Sequence, residues 1–245
     1  MTGQGSSLQT AGFFPREWKR FFAFLRTPQL PPLASGPGTG ALGSALLLYA
    51  LDIVLMAVLV ACAFVAVGLG LDLPENDLEG LDLDLATVAL LVLAAPITEE
   101  IAFRGWLSGR AGHVFALLAI FAGLIGIPVA DATLASPLAG GGFALLGMVM
   151  ACMALWHWRG QLAWRWYSRH FRWFYYASSL AFALVHFSNY QPDGGLILFA
   201  LVIPQLIAGL IFGYARVNYG LWSSMLLHIL HNGTAIGLVM LFEGG

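Results

Sequence analysis

The chain has 245 residues, 59% of them hydrophobic and only 10% charged, with a mean hydropathy of +0.81. Soluble domains carry roughly 25% charged residues, so this composition excludes one and points to a polytopic membrane protein. A net charge of −2 offers no electrostatic basis for a nucleic-acid partner. Cys62 and Cys152 each lie inside an apolar run and offer none for a disulfide framework or a thiol metal site.

In chain order, the segment Phe13 to Leu25 comes first. There Phe13, Phe14, Trp18, Phe21, Phe22, Phe24 and Leu25 interleave with Arg16, Lys19 and Arg20, the mixture of an amphipathic helix lying along the membrane interface. Pro28, Pro31, Pro32 and Pro37, with their neighbouring glycines, form a linker. Residues 1–40 are therefore read as a cytoplasmic segment and 41–245 as one transmembrane domain. No secretory signal precedes the first long apolar run, near Ala41, which is expected to act as an uncleaved signal anchor.

A spanning helix needs about 20 mostly apolar residues, a criterion that gives about seven spans, within a range of roughly six to eight. They are placed at Ala41 to Leu69, Ala86 to Arg110, Val114 to Ala130, Gly141 to Trp156, Phe174 to Asn189, Leu196 to Tyr214 and Gly220 to Phe242. The third to fifth are short, and Gly123, Gly126 and Pro128 weaken the third. The expected fold class is an all-α transmembrane helix bundle. Arg16, Lys19, Arg20, Arg26, Arg110, Arg159, Arg165, Arg169, Arg172 and Arg216 all fall on one side of these spans. Asp72, Glu75, Asp77, Glu79, Asp82, Asp84, Asp131 and Asp193 fall on the other. The positive-inside rule then puts the amino terminus in the cytoplasm and the carboxyl terminus outside, as for a multi-pass protein of a bacterial cytoplasmic membrane. The loop from Trp156 to Tyr176, rich in Trp, Tyr and Phe, suits an aromatic belt at the headgroups.

The second span contains Ile97-Thr98-Glu99-Glu100-Ile101-Ala102-Phe103-Arg104. Ionisable groups at membrane depth are costly and mark function or a partner. Glu100 lies four residues before Arg104 on one helical face, so the two are expected to pair in a structural role, since breaking a buried pair from one side is costly. Glu99 is rotated by about 100° and is the carboxylate left for chemistry. Two later spans carry Phe182-Ala183-Leu184-Val185-His186 and His228-Ile229-Leu230-His231-Asn232. At about 1.5 Å per residue, Glu99, His186 and His228 lie ~16, ~18 and ~12 Å from one end of their spans, near the middle of a core about 30 Å thick. Phe182 is read as a wall of the site. His228 is preferred to His231 because its i+4 partner Asn232 faces the same way. Asp52, alone in the first span, is expected to meet water or another helix. His113, His157 and His170 are expected at the cytoplasmic interface with their tips in water.

Glu-Glu-x-x-x-Arg, Phe-x-x-x-His and His-x-x-x-Asn, in this order, resemble the motifs of the CAAX protease and bacteriocin-processing family of intramembrane peptidases, also called the abortive-infection family. The resemblance covers roughly Ala86 to Phe242. It implies that Glu99 and His186 activate the attacking water, as in a glutamate intramembrane protease, while His228 and Asn232 stabilise the oxyanion and no cofactor is needed. The implied partners are the lipid bilayer and a peptide or protein substrate, with or without a lipid anchor. One departure is visible. Two apolar segments, Val114 to Trp156, separate the first two motifs, which in the family usually lie on consecutive spans; two inserted crossings preserve the orientation of the later spans.

Three other readings use the same residues. A zinc-dependent peptidase would take Glu99, His186, His228 and His231 as ligands, although no His-Glu-x-x-His helix occurs. A non-catalytic scaffold would keep the fold and bind a regulatory membrane protein such as a sensor kinase. A proton-coupled transporter would use intramembrane Glu and His as a relay, but no internal repeat supports an inverted-repeat transporter.

Overall fold

A computed structural model describes residues 15–74, 76, 80–134, 137–191 and 195–243. Phe13 and Phe14 of the amphipathic segment, Glu75, Asp77 and Glu79 of the first loop, Asp193, and the side chain of Asp131 lie outside the described residues. Helix α1 (Arg16–Arg26) precedes the long α2 (Thr39–Gly68). A broken rod follows: α3 (Leu85–Ala89), a π turn (Leu90–Ala94), α4 (Ala95–Arg104) and a 3-10 turn (Gly105–Ser108). Then come α5 (Ala111–Leu134), α6 (Pro137–His157), the short α7 (Arg165–Arg169) and α8 (Phe171–Val185), which runs into a 3-10 turn (His186–Asn189). The chain closes with α9 (Ile197–Leu201), α10 (Ile203–Tyr219) and α11 (Leu221–Glu243). No strand forms among the described residues, and the fold is the expected all-α bundle of a multi-pass membrane protein.

Among the described residues six helices are long and apolar enough to cross a membrane: Thr39–Gly68, Leu85–Ser108, Ala111–Ala130, Leu138–His157, Ile197–Tyr219 and Leu221–Phe242. The expected span Phe174 to Asn189 is the helix α8, whose 15 residues give it a length of about 22 Å. Its helix ends at Val185 and hands over to the 3-10 turn at His186. The expected span Leu196 to Tyr214 is interrupted at Val202, where Pro204 opens the first turn of α10 instead of continuing α9.

The helices bearing the three motifs pack together: α4 against α8 and α11, and α10 against both α8 and α11. The two inserted helices form a separate hairpin, α5 on α6, beside this body. Gly123 and Gly126, read from the sequence as weak points, are where this hairpin closes. A Cβ at Gly147 would stand 2.6 Å from the Ala119 carbonyl oxygen and 2.9 Å from the Gly123 Cα. Small residues at such a crossing let two backbones approach, and the resulting van der Waals packing is one source of attraction between helices in lipid. The hairpin therefore meets its packing needs within itself and leaves the order of the motif helices intact.

The main core joins Phe21 of α1, Leu48 and Leu51 of α2, Ile211, Phe212 and Tyr214 of α10, and Leu227 of α11. The apolar face of α1, expected to meet lipid, is thus covered by protein. The Trp18 Nε1–H donates to the Leu47 carbonyl at 2.6 Å, and buried Glu17 accepts hydrogen bonds from the hydroxyls of Tyr214, at 2.8 Å, and Tyr219. Part of the aromatic loop is core as well. Tyr167, Phe171 and Tyr175 are buried with Leu107, while Trp164, Trp166 and Trp173 face outward. Burial holds the Tyr167 phenol well above its ordinary pKa range.

Candidate active site

The site is built on an irregularity in the second span. In the π turn the Ala95 N–H bonds the Leu90 carbonyl, five residues back. The next donor in that register belongs to residue 96, which is proline and has none. The Leu91 carbonyl is left without a helical partner, and a buried carbonyl needs one. Asn232 of α11 supplies it, donating from Nδ2 at 2.9 Å. One amide hydrogen thus ties α11 to the broken rod a turn or two before Glu99, and the second amide hydrogen remains for another acceptor.

Immediately after Pro96 the helix presents Glu99 and Glu100 to different surroundings. Glu100 is fully buried, and its Oε1 lies 2.7 Å from Arg104 Nη1 and 3.0 Å from His228 Nδ1. Arg104 is equally buried, with its guanidinium 3.9 Å from the centre of the Phe182 ring, so one charge is met by a carboxylate and a ring face together. Gly209 of α10 makes this possible: a Cβ there would stand 3.2 Å from both Arg104 Nη2 and Phe182 Cδ1. Glu99, by contrast, keeps 32% of its side chain exposed, and its Oε2 lies 3.8 Å from His228 Nε2, too far for a hydrogen bond. The expected division between a paired Glu100 and an open Glu99 matches this geometry. The contact of Glu100 with His228 is additional, and no spacing rule within one helix could have shown it.

Phe182 and His186 sit one turn apart at the end of α8. The His186 Nδ1–H donates to the Phe182 carbonyl at 2.7 Å, which leaves Nε2 as the nitrogen with a free lone pair. Phe182 packs edge-on against both His186 and His228, with centroid separations of 4.8 and 5.4 Å. Glu99, Phe182, His186, His228, His231 and Asn232 all line one cavity of about 430 Å³. Gln205 also lines it, with a buried Oε1 that accepts no hydrogen bond among the described residues.

His231 and Asp52 form a pair that sequence reading left apart. Asp52 is fully buried in α2, and its Oδ2 accepts from His231 Nδ1 at 2.7 Å. The available signal was a lone intramembrane acid with a lone histidine far along the chain, and only folding joins them. His113 is also engaged: its Nδ1 lies 2.7 Å from Ser108 Oγ, so its ring is not a free tip in water. His170 bonds the Trp166 carbonyl on its own turn, and His157 is exposed. Among the described residues no three His, Cys, Asp or Glu side chains converge tightly enough to hold a metal ion. The alternative ligands Glu99, His186, His228 and His231 therefore share a cavity without sharing a coordination point.

A family model described as "Type II CAAX prenyl endopeptidase Rce1-like" matches residues 81–234. No curated protein and no solved structure matches the chain. The matched segment is more than half of the sequence and holds Glu99, Glu100, Arg104, Phe182, His186, His228 and Asn232, but not Asp52. Three motifs in order, the helices that bring them to one cavity and this match lead to one conclusion: the chain belongs to the Rce1-like family of type II CAAX prenyl endopeptidases, a membrane protease family.

Proposed function

We propose that this protein is an intramembrane endopeptidase that hydrolyses a peptide bond at the membrane with a water activated by Glu99 and His186. The observation that carries the reading is that Glu99, His186, His228 and Asn232, drawn from three helices, line one cavity. The water gives a proton to Glu99 or to the free Nε2 of His186 and its oxygen attacks the scissile carbonyl. A tetrahedral oxyanion forms, and the proton then passes to the departing amine as the C–N bond breaks. Asn232 donates to the oxyanion with its second amide hydrogen. His228 has its Nδ1–H committed to Glu100, so it donates from Nε2 only as the doubly protonated imidazolium. Asp52 acts as a positioning residue: by taking the Nδ1–H of His231 it turns the other ring nitrogen to the cavity. Gln205 Oε1 is suited to accept a backbone N–H of an extended substrate peptide.

The substrate is a peptide or protein whose cleaved segment enters from the bilayer, consistent with apolar walls at Leu91, Phe182 and Phe212. We also read the amino terminus as cytoplasmic, the carboxyl terminus as outside, and residues 41–245 as the peptidase domain. Detergent-purified full-length protein should cleave members of a quenched peptide library, and do so in the presence of chelator. Activity lost in chelator and restored by stoichiometric zinc would move the chemistry to a metal-bound water. No cleavage of any peptide, prenylated or plain, would favour the scaffold reading.

A further inference from the structure

A second cavity, of about 260 Å³, lies away from the Glu99 site, between the proline linker and the ends of three helices. Pro31 and Pro32 roof it, and Ser108, Arg110, His113 and Arg216 line it. No Asp or Glu is among its lining residues, and neither Arg110 nor Arg216 makes an ion pair among the described residues. Two guanidinium groups in a part-buried space repel one another more strongly than they would in water. An anion between them would convert that repulsion into attraction.

The donors are already oriented. Arg216 is 6% exposed, and its Nε and Nη2 donate to the Arg104 and Gly105 carbonyls at 3.0 and 3.2 Å. Those carbonyls close the end of α4, where helical acceptors run out of internal partners. Its Nη1 has no hydrogen-bond partner among the described residues. Ser108 Oγ accepts the Arg110 backbone N–H at 3.3 Å and shares a hydrogen bond with His113 Nδ1, 2.7 Å away. When the Ser108 hydroxyl donates in that bond, the neutral His113 ring carries its hydrogen on Nε2 and adds a donor to the two guanidinium groups. The linker is pinned above this set by the Ser35 N–H, which donates to the Asn218 carbonyl at 2.8 Å.

We infer that Arg110, His113 and Arg216 form a binding site for a phosphate-class oxyanion. Guanidinium groups suit such an anion because their planar donors match its oxygens. The position names the source to be tried first. The spans Leu85–Ser108, Ala111–Ala130 and Ile197–Tyr219 all end or begin beside the cavity, which puts it at headgroup level. A lipid phosphate reaches that level from the bilayer, and free phosphate reaches it from water.

Full-length protein in phosphatidylcholine nanodiscs is the reference for the test. Replacing part of the lipid with phosphatidylglycerol, or adding inorganic phosphate, should raise the thermal unfolding midpoint. A response to phosphatidylglycerol alone assigns the anion to a headgroup, and a response to inorganic phosphate assigns it to a free ion; both support the site. Arg110→Gln and His113→Gln should each weaken the response about tenfold in ligand concentration, whereas Arg169→Gln, an exposed arginine elsewhere, should leave it unchanged. These variants avoid Arg216, whose removal would strand two helix-end carbonyls. The site is overturned if neither ligand shifts the midpoint, if Arg110→Gln responds as the parent does, or if Arg169→Gln weakens the response equally.

Discussion

The motif helices α4, α8, α10 and α11 and the inserted hairpin α5–α6 solve the same problem in opposite ways. Neither gains from burying apolar surface, because the lipid outside is as apolar as the protein inside. The motif helices are joined by polar contacts that have no good alternative in hydrocarbon: Glu100 to His228 between α4 and α11, Ser178 to the Phe103 carbonyl between α8 and α4, Tyr175 to the Leu210 carbonyl between α8 and α10, and Asn232 to Leu91 of the π turn. The hairpin is joined by the absence of side chains, at Gly123 and Gly147. The difference teaches that polar groups here carry both cohesion and the proposed chemistry, while the hairpin supplies cohesion alone. Substitutions in the two regions should therefore fail in different ways.

The largest effect should come from the open groups of the motif helices. Glu99→Ala and His186→Ala are expected to reduce cleavage to background while the thermal midpoint and membrane insertion stay near those of the parent, because neither residue closes a buried pair. Near-parental turnover in either variant would falsify the water-activating assignment. Next is Glu100→Ala, which leaves Arg104 and His228 Nδ1 without their carboxylate. A loss of about 3–5 kcal/mol in stability is expected, read as lower yield and a lower unfolding midpoint, and an unaltered midpoint would show that cohesion does not run through this pair.

Asn232→Ala belongs to both halves of the comparison. Turnover should fall by roughly 10² to 10³ if its second amide hydrogen meets the oxyanion, with KM little changed because that contact strengthens only in the transition state. A rise in KM with kcat preserved would restrict Asn232 to holding Leu91. The smallest effect on chemistry should come from the hairpin. Gly147→Val forces a side chain against the Ala119 carbonyl and should cost about 1–3 kcal/mol of stability, with kcat of the surviving folded protein unchanged. A specific loss of kcat would show that the hairpin shapes the cavity and that the two regions are not separable.

Much of this arrangement was legible in the sequence because charge is so expensive in a membrane. Glu99, Glu100, Arg104, His186 and His228 announce themselves by occurring where hydrocarbon should, and helical periodicity separates Glu99 from Glu100. Periodicity within one helix is silent about contacts between helices. It could not show that Glu100 also holds His228, nor that Asp52 meets a residue 179 positions away. Hydropathy likewise read α8 as a short span without showing that its helix ends at Val185 and that the chain tightens where His186 is presented. The amphipathic pattern of α1 identified its apolar face without revealing that Glu17 would be drawn inward by two tyrosines.

The π turn at Leu90–Ala94 also acts as a phase setter for the site. It lodges an additional residue in the rod ahead of Glu99, so everything after it is turned relative to everything before it. Deleting one residue there would restore an ordinary helix and rotate the later segment by about 100° relative to the earlier one. If the earlier part stayed anchored, Glu100 would leave its partners and Glu99 would turn from the cavity, with every side chain of the proposed site still present. The register of five apolar residues thus decides which of two adjacent glutamates faces the cavity, and a scan of single-residue deletions along this rod should show a sharp loss of cleavage without any change in the chemical inventory.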